Sequence, residues 1–478
     1  MKQKLLLIKK AIALALVIGL TVCTAQAQQV ISLQKAVDFT LQNNLTIKQA
    51  ANNELFDAAT YTQSKNNRLP GLSGSVSASD NFGRALDVTT YQYSNSVVAI
   101  NPSVSAQAIL FQGGQLRNQI IQNKLQLETD KSATAKVKND LVLNVVVDYL
   151  SILTNTDLVT AAKQQIEIAK LTLDRTQKSV DAGNQTMADL SQAKAGLSTA
   201  ELNLTTAQNQ LDFSILVLKQ YMEMPPTTEI TIEKPDISKL TDIKTVFNAE
   251  EVVASAVGVN PDVKLAEAQQ AVTAQGIKIA KAGFYPTLSM FGSLSSNYSD
   301  VTSQKSIGTL PIIVPIGYVN GTNQSVLTNS YQNIYGPYSF GNKLKDNFTQ
   351  AIGLSLSIPI FNRFNAHTNV KKAEINYENA RISTEIAKRT LAKTIYQAVL
   401  DARASERQYQ SSVQTYEANK DAFNIIKQRY DVGLENSLNY NTSLTNLNKS
   451  QNDMIQARYQ MVFRSKVIDY YLGKPITL

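Results

Sequence analysis

The 478-residue sequence has little of what most enzymes and disulfide-bonded domains depend on. It contains one cysteine, Cys23, one histidine, His367, and no tryptophan. A single cysteine excludes intrachain disulfides, and one histidine without a recognisable nucleophile motif makes neither a metal site nor a catalytic triad. We therefore expect no catalytic residues, no metal site and no cofactor, and we interpret His367 as a surface residue.

Long apolar runs are also missing, except at the N-terminus. The first residues carry four lysines, then an apolar stretch (11–20), then Ala25-Gln26-Ala27. This order is typical of a secretory signal peptide, so we assign residues 1–27 to a leader cleaved before Gln28. An alternative uses Cys23 as the lipidated residue of a lipoprotein, but Val22 stands where a small residue is wanted. After residue 27 no run of eighteen apolar residues follows, which predicts no transmembrane helix.

Excess charge is small once the leader is removed. The leader carries four of the 46 basic residues and none of the 38 acidic ones, so the mature chain has a net charge near +4. That balance gives no support to a nucleic-acid partner. Any membrane role must then be carried by strands.

Proline and glycine are absent from residues 115–178, and this stretch organises the chain. Apolar residues recur there at spacings of three and four, which predicts one continuous amphipathic helix roughly 95 Å long. Residues 365–430 repeat the pattern. Two helices of that length exclude a compact domain. Glycine-containing turns at 180–186 and 430–437 follow them, and return helices are predicted at 186–222 and 437–472.

Before each long helix the apolar period changes to two, which predicts strands. Two strands are expected between 71 and 111, at about 72–79 and 98–111, with a polar loop between them. Two more are expected between 287 and 361 around a long loop, 299–346. One face of each strand is apolar and the other hydroxylated, as in the wall of a transmembrane β-barrel. Four strands cannot close a barrel, so other copies of the chain must complete it. We assign Val76, Val104, Leu354 and Leu356 to the lipid-facing side and Ser75, Ser105, Ser293 and Ser355 to the lumen-facing side.

Tyrosines cluster in or beside the two loops that connect these strands. They form either an interfacial aromatic girdle or packing within the loops. The residues concerned are Tyr91, Tyr93, Tyr298, Tyr318, Tyr331, Tyr335 and Tyr338.

The two halves of the chain form an internal repeat. Asn44 aligns with Asn260 and Pro70 with Pro286, both 216 residues apart, whereas Gly183 and Gly433 are 250 residues apart. The offset grows within the loop 299–346, so the halves differ chiefly by one insertion. We divide the mature chain into a first unit (28–220), a linker (221–245) and a second unit (246–478).

The leader, the duplication, the proline before each strand pair and the glycine turn in each half together resemble the TolC-like outer-membrane efflux family. The motifs are Asn260-Pro261-Asp262-Val263-Lys264, Phe284-Tyr285-Pro286, Ile358-Pro359-Ile360-Phe361 and Tyr430-Asp431-Val432-Gly433. The resemblance covers essentially the whole mature chain. It implies a mainly α protein with transmembrane β-structure. Three identical chains would combine four strands each into one twelve-stranded barrel, and their long antiparallel helices into an α-barrel, with the linker in an equatorial belt.

The same resemblance implies a location in the outer membrane of a Gram-negative bacterium, extending into the periplasm. The protein would be a passive channel-tunnel in a tripartite efflux or type I secretion system. Its partners would be outer-membrane lipid, a periplasmic adaptor (membrane fusion) protein and an inner-membrane pump of the RND or ABC type. The alternative is an envelope coiled-coil protein with a structural or adhesive role, but such a stalk has no use for serine-faced strands of membrane length.

Residue roles at the turns also come from the resemblance. In the family the turns meet the adaptor, which marks Gly183, Gly433, Leu434 and Ser437 as contact positions. Polar contacts close the entrance, and Asp189 is the candidate on the first return helix. On the second, the family's aspartates are matched by Asn439 and Thr442, and Glu435 is the nearest acid. On residue type alone two alternatives stay open: Asp189 as a solvated carboxylate, and both turns as simple chain reversals.

Overall fold

The computed structural model describes residues 29–86, 91, 93–235, 247–301 and 303–474. The leader with Cys23, and residues 236–245 of the linker, lie outside the described residues. The chain divides into two compact units, each of which draws on both halves of the repeat. We call residues 1–57, 126–270 and 379–478 the helical unit, and residues 58–125 and 271–378 the strand unit.

Helices account for most of the described residues, and the two longest have 67 residues each, or about 100 Å of helix. They extend slightly beyond the expected ranges. The helices are α1 (Leu33–Asn43), α2 (Leu45–Asn66), α3 (Gln115–Asp181), α4 (Met187–Tyr221), α5 (Ala249–Val257), α6 (Pro261–Lys281), α7 (Phe340–Asp346), α8 (Asn365–Asp431) and α9 (Ser437–Tyr471).

The duplicated asparagine is a helix cap in both halves. Asn44 Oδ1 accepts the backbone N–H of Thr46 at 2.9 Å, and Asn260 Oδ1 accepts that of Asp262 at 2.9 Å. Both asparagines are buried. They satisfy N–H groups that the first turns of α2 and α6 leave unpaired, which explains why the motif recurs before a helix.

The strands form a parallel pair, an antiparallel main sheet and a separate hairpin within the described residues. The pair is β1 with β4, the main sheet has the order β2-β3-β5-β9 with β6 beside β3, and the hairpin is β7 with β8. The strands are β1 (Gln29–Ile31), β2 (Gly71–Leu86), β3 (Tyr93–Gln112), β4 (Ile230–Ile232), β5 (Thr287–Ser295), β6 (Tyr298–Ser299), β7 (Gln304–Tyr318), β8 (Ser325–Pro337) and β9 (Thr349–Ser357).

The register of the main sheet brings the hydroxyl side chains of its four strands to one face. Ser105 pairs with Ser73 on one side and with Ser293 on the other, and Ser355 pairs with Ser289. The Oγ atoms of Ser73 and Ser105 lie 2.9 Å apart, and hydroxyl pairs recur along the strands. Because residues opposite each other share a face, the apolar residues fall on the other one. Val104 pairs there with Leu294, and Leu354 with Met290.

Three expectations about the strands are wrong. The polar loop expected after residue 79 is largely strand, because Asp80 pairs with Val98 and the ladder continues to Leu86 with Tyr93. The long loop 299–346 is instead β7, β8 and α7. The last strand ends at Ser357, short of 361. Cross-strand pairing holds β2 and β3 together through Asp80 and Asn81, which are residue types that usually end strands.

One apolar core of the helical unit lies where both halves of the repeat meet. Side chains of α1, α3, α4 and α9 pack there with the parallel pair β1 and β4. Tyr149 is buried, and its hydroxyl contacts the carbonyls of Ile31 (3.2 Å) and Glu233 (2.7 Å). The beginning of the linker is therefore an ordered part of the core.

One described helix, α3, contains a stretch that is long and apolar enough, by length and composition alone, to cross a membrane. Half of that stretch is buried inside the protein. Seven buried side chains of α3 belong to the core just described, so packing accounts for the apolar composition. They are Val145, Val146, Tyr149, Leu150, Ile152, Leu153 and Ala161.

Candidate functional site

Both glycine turns adopt the same left-handed conformation. Gly183 has φ +78° and Gly433 has φ +77°. The N–H of the next residue returns to the carbonyl five positions earlier, from Asn184 to Ser179 at 2.9 Å and from Leu434 to Arg429 at 2.8 Å. This is the glycine-dependent way to end a helix, since it satisfies late carbonyls at a φ that other residues resist.

The two turns adjoin each other within the helical unit. The hydroxyl of Ser437 donates to Asp189 Oδ1. Gln185 Nε2 donates to the hydroxyl of Tyr430 at 2.8 Å. Arg175 forms an ion pair with Asp431. The structure thus brings together Gly183, Gly433, Ser437 and Asp189, which the sequence analysis singled out separately.

An aromatic cluster supports these polar contacts. Tyr440 stacks on Tyr430 with ring centroids 4.6 Å apart, and it also contacts Phe423. Its hydroxyl lies 3.1 Å from the Thr172 hydroxyl, so α9 is joined to α3 as well as to α8. Burial raises the pKa of Tyr440, which keeps its hydroxyl neutral and available for this hydrogen bond.

Asp189 has more partners than a solvated carboxylate. It caps α4 in a box with Thr186, whose backbone N–H donates to Oδ2 at 3.0 Å, while Thr186 Oγ1 accepts from the Asp189 N–H at 3.2 Å. The hydrogen bond from Ser437, followed by those from Thr186, lowers the pKa of Asp189. The carboxylate is thus held ionised between the two turns.

The other sequence-selected residues stay within the second turn. Asn439 donates to Glu435 Oε1 at 2.7 Å, and this hydrogen bond lowers the pKa of Glu435. The hydroxyl of Thr442 donates to the Leu438 carbonyl of its own helix at 2.8 Å. The structure therefore does not bring Glu435, Asn439 or Thr442 to the contacts between the turns. Leu434 is exposed.

Several residues of this site could not be selected from the sequence. Arg175, Gln185 and Tyr430 make contacts between the turns, and each resembles an ordinary helix-end residue in sequence. Exposed apolar residues beside the two turns were also not predicted, apart from Leu434. We call them the tip patch: Met187, Val432, Leu434 and Leu438. The sequence does show apolar residues next to both glycine turns. This is unusual, because turns exposed to water normally contain polar residues.

An antiparallel sheet with one hydroxylated and one exposed apolar face, joined to helices of 67 residues, defines the channel-tunnel class of outer-membrane proteins. A family model described as "Outer membrane efflux protein" matches residues 36–222 and 252–474, and the chain belongs to this family of channel proteins. The expected family is thus confirmed. The protein is located in the outer membrane of a Gram-negative bacterium and extends into the periplasm.

Individual relatives are distant. The chain is 21% identical to Outer membrane protein TolC of Escherichia coli (strain K12) over 335 residues, which are 70% of this chain and 61% of TolC. The solved structure of CusC is similar with a TM-score of 0.73 at 15% identity, covering 94% of both chains. The Campylobacter jejuni CmeC outer membrane channel is similar with a TM-score of 0.72 at 18% identity, covering 92% of this chain and 85% of CmeC. These two structures show a shared fold.

Proposed function

We propose that three copies of this chain form one outer-membrane channel, with twelve strands closing a barrel. The observation that carries this proposal is the open main sheet, whose outer strands β2 and β9 each have a neighbour on one side only within the described chain. Unpaired backbone groups are not tolerated in a bilayer, so the two edges must meet strands of other copies. The apolar face with Val76, Val104, Leu354 and Leu356 then contacts lipid, and the face with Ser75, Ser105, Ser293 and Ser355 lines the lumen.

The long helices of the three copies form the periplasmic tunnel, and the glycine turns form its tip. The tip patch offers apolar side chains to a periplasmic adaptor, around the contact positions Gly183, Gly433, Leu434 and Ser437. An apolar patch this exposed indicates a protein contact. The channel itself is passive, and an inner-membrane pump of the RND or ABC type supplies the energy for efflux or type I secretion.

The contacts between the turns hold the entrance in a narrow state. Ser437 to Asp189, Gln185 to Tyr430 and the Arg175–Asp431 ion pair each join a segment of the first half to one of the second. Opening must separate those segments and so break all three. Glu435, Asn439 and Thr442, which contact their own turn or helix, face the entrance without closing it.

The trimer is tested by mass measurement in detergent. We expect native mass spectrometry of the extracted protein to find three chains per particle, and gel mobility to change on heating. The reason is that four strands are too few to close a barrel. A stable monomer that still conducts ions would rule the proposal out.

The assignment of the two faces is tested with arginine. We expect Val104→Arg and Leu354→Arg to reduce the amount of protein assembled in the outer membrane, because arginine at the lipid midplane costs roughly 2–4 kcal/mol. Ser105→Arg and Ser355→Arg, on the opposite face one residue away, should assemble normally and lower single-channel conductance. Equal assembly of all four variants would show that the faces are assigned wrongly.

The role of Asp189 predicts a pH dependence. A carboxylate whose pKa is lowered stabilises its contacts above its ordinary pKa of 3.8 and loses that contribution as the pH falls through the lowered value. Conductance of the reconstituted channel should therefore stay constant from about pH 8 to about pH 5. Asp189→Asn should raise it at neutral pH, whereas Asp181→Asn, at an exposed carboxylate, should not. A wild-type conductance that rises already near pH 6 would assign the closure to another group.

A further inference from the structure

The insertion that distinguishes the two halves forms a hairpin whose base is held by polar contacts. At its base Lys305 forms an ion pair with Asp346, and the Tyr338 hydroxyl donates to the same carboxylate at 3.2 Å. Lys343 donates to the carbonyl of Ser299 at 2.7 Å and lies 4.6 Å from the Tyr298 ring. Two of the clustered tyrosines thus pack within the base, which fixes where β7 and β8 leave the main sheet.

Beyond this base the hairpin is uncharged and exposed. Residues 306–337 contain no Asp, Glu, Lys or Arg. Ile313 is 65% exposed and Tyr331 is 73% exposed, and apolar side chains lie on both strands. A two-stranded sheet with open edges is marginally stable in water and tends to pair with other strands. The surface therefore needs a partner.

Prolines determine which edge of the hairpin accepts that partner. Pro311 and Pro315 are four residues apart in β7 with no register shift between them, so their missing N–H groups weaken the same side of that strand. Between Ser325 and Gly336, β8 has no proline. An added strand can therefore form a full ladder with β8, but not with β7.

β2 has a matching edge that pairs with no other strand among the described residues. Ser75 pairs with Ser103, Ser103 with Ser295, and Ser295 with Thr349, so the first residue of β9 is level with Ser75. From residue 76 to 86, β2 continues past that level, for about 36 Å at the usual rise per residue. Its outer edge there carries Phe82, which is 83% exposed.

We propose that β8 of one copy adds, as an antiparallel strand, to the free upper part of β2 in the next copy. This inference rests on the proposed trimer, in which β9 of one copy meets β2 of the next. β9 has only 9 residues against the 16 of β2, so it leaves part of β2 unpaired. β8 precedes β9 by one short helix, α7, and runs toward the base of the hairpin, close to the start of β9. Its 13 residues are long enough to cover the unpaired part of β2.

The chemistry of the hairpin favours a second copy over other partners. The described part of β8 has no charged side chain, and the upper part of β2 carries one acid, Asp80, and one base, Arg84, so the two strands can approach without net repulsion. The hairpin between residues 306 and 337 also has no cationic group with which to bind the phosphates of an outer leaflet. The paired strands would continue the channel wall outside the membrane and join each copy to its neighbour.

Cysteine scanning tests the pairing, because the chain after the leader has no cysteine of its own. Phe82→Cys is combined, in the full-length protein in outer membranes, with a cysteine at each position from 326 to 334 in turn. After oxidation we expect disulfide-linked multimers with one maximum along β8 and several-fold lower yields at its neighbours, since disulfides need closely opposed residues. Ile313→Cys on β7 is the matched control. It should give no product, because two strand spacings, roughly 9–10 Å, exceed disulfide reach.

A second cysteine scan, between β2 and β9, tests the proposed trimer independently of the hairpin pairing. Ser73→Cys on β2 is combined with cysteines along β9, where barrel closure itself predicts linkage. If that seam links and no position of β8 does, the hairpin pairing is wrong while the trimer stands. If neither seam links and the particle mass is that of one chain, the proposed function fails. Equal yields along β8, or links only within one chain, would also overturn the pairing.

Discussion

Asp157→Ala should lower the free energy of unfolding by roughly 3–5 kcal/mol. The Asp157 side chain on α3 is 9% exposed and accepts from three donors. Lys234 contacts Oδ1, while the Arg458 guanidinium and the Tyr459 hydroxyl contact Oδ2, the latter at 2.9 Å. Without the carboxylate, the Arg458 side chain, itself 11% exposed, keeps its charge in the core with no anion beside it. The Lys234 side chain is 45% exposed and returns to water, so the cost lies mainly with the arginine.

Two further variants test whether the unpaired charge of Arg458 causes the loss of stability. Asp174→Ala removes an exposed aspartate of the same helix, which pairs with Lys178, and should change stability by about 0.5 kcal/mol or less. Arg458→Met combined with Asp157→Ala removes the stranded charge and should recover much of the loss. Unfolding of the detergent-solubilised protein in denaturant, followed by helical circular dichroism, measures all three. A loss for Asp157→Ala no larger than for Asp174→Ala would show that the network does not stabilise the core.

The Asp157 network matters for the architecture because it joins parts of the chain that are far apart in sequence. Asp157 lies in the first half of the repeat, Arg458 and Tyr459 in the second, and Lys234 in the linker between them. Tyr149 contacts both β1 and the linker, and together with the Asp157 network it holds the start of the linker in the core. Stability of the helical unit therefore depends on contacts between the two halves.

The long helices could be predicted from sequence because their signal is repeated over many turns. In 67 residues without proline or glycine, a period of three and four is unambiguous, and the turns are marked by single glycines. The division of the main sheet into a hydroxylated and an apolar face could also be predicted, since strict alternation places neighbouring residues on opposite faces. Ser105 and Val104 needed no knowledge of their partners to be assigned to opposite faces.

The hairpin and the upper half of β2 could not be predicted, for different reasons. β7 contains the run Leu310-Pro311-Ile312-Ile313-Val314-Pro315, in which apolar residues do not alternate and two prolines suggest a loop. In β2, Asp80, Asn81 and Gly83 are turn residues by type. Both segments are strands only because a particular partner strand pairs with them, and the partner is invisible in local sequence.

The contacts of the candidate site were harder still. The glycines were found from residue type, but the partners Arg175 and Asp431 are 256 residues apart and carry no local pattern. Asp157 resembles any polar residue on a long helix. Its three donors converge only after α3, α9 and the linker have packed, so tertiary structure alone reveals the network.

Gly183→Val combined with Gly433→Val should abolish efflux or secretion while leaving trimer abundance normal. A valine at φ near +78° is strained by roughly 1–3 kcal/mol at each turn, so the turn must deform. In the part of the chain that the structure describes, no heavy atom lies within 4 Å of an added Cβ at either position, so the effect comes from the backbone and not from a clash. The strand unit, which carries the edges that form the barrel, contains neither turn.

Two control variants distinguish the effect of backbone strain from the loss of the glycine surface that the adaptor would contact. Gly258→Val, at φ −78° and with no heavy atom of the described residues within 4 Å of its added Cβ, should leave both trimer and function unchanged. Gly183→Asn with Gly433→Asn should retain most function, because asparagine tolerates the left-handed region.

Trimer abundance and efflux are measured in the same cells. If the valine pair fails to trimerise, the turns serve folding and the tip is not shown to be a docking site. If the asparagine pair also loses efflux with normal trimer, the partner requires the bare glycine surface itself. If the valine pair keeps both quantities, the adaptor docks elsewhere.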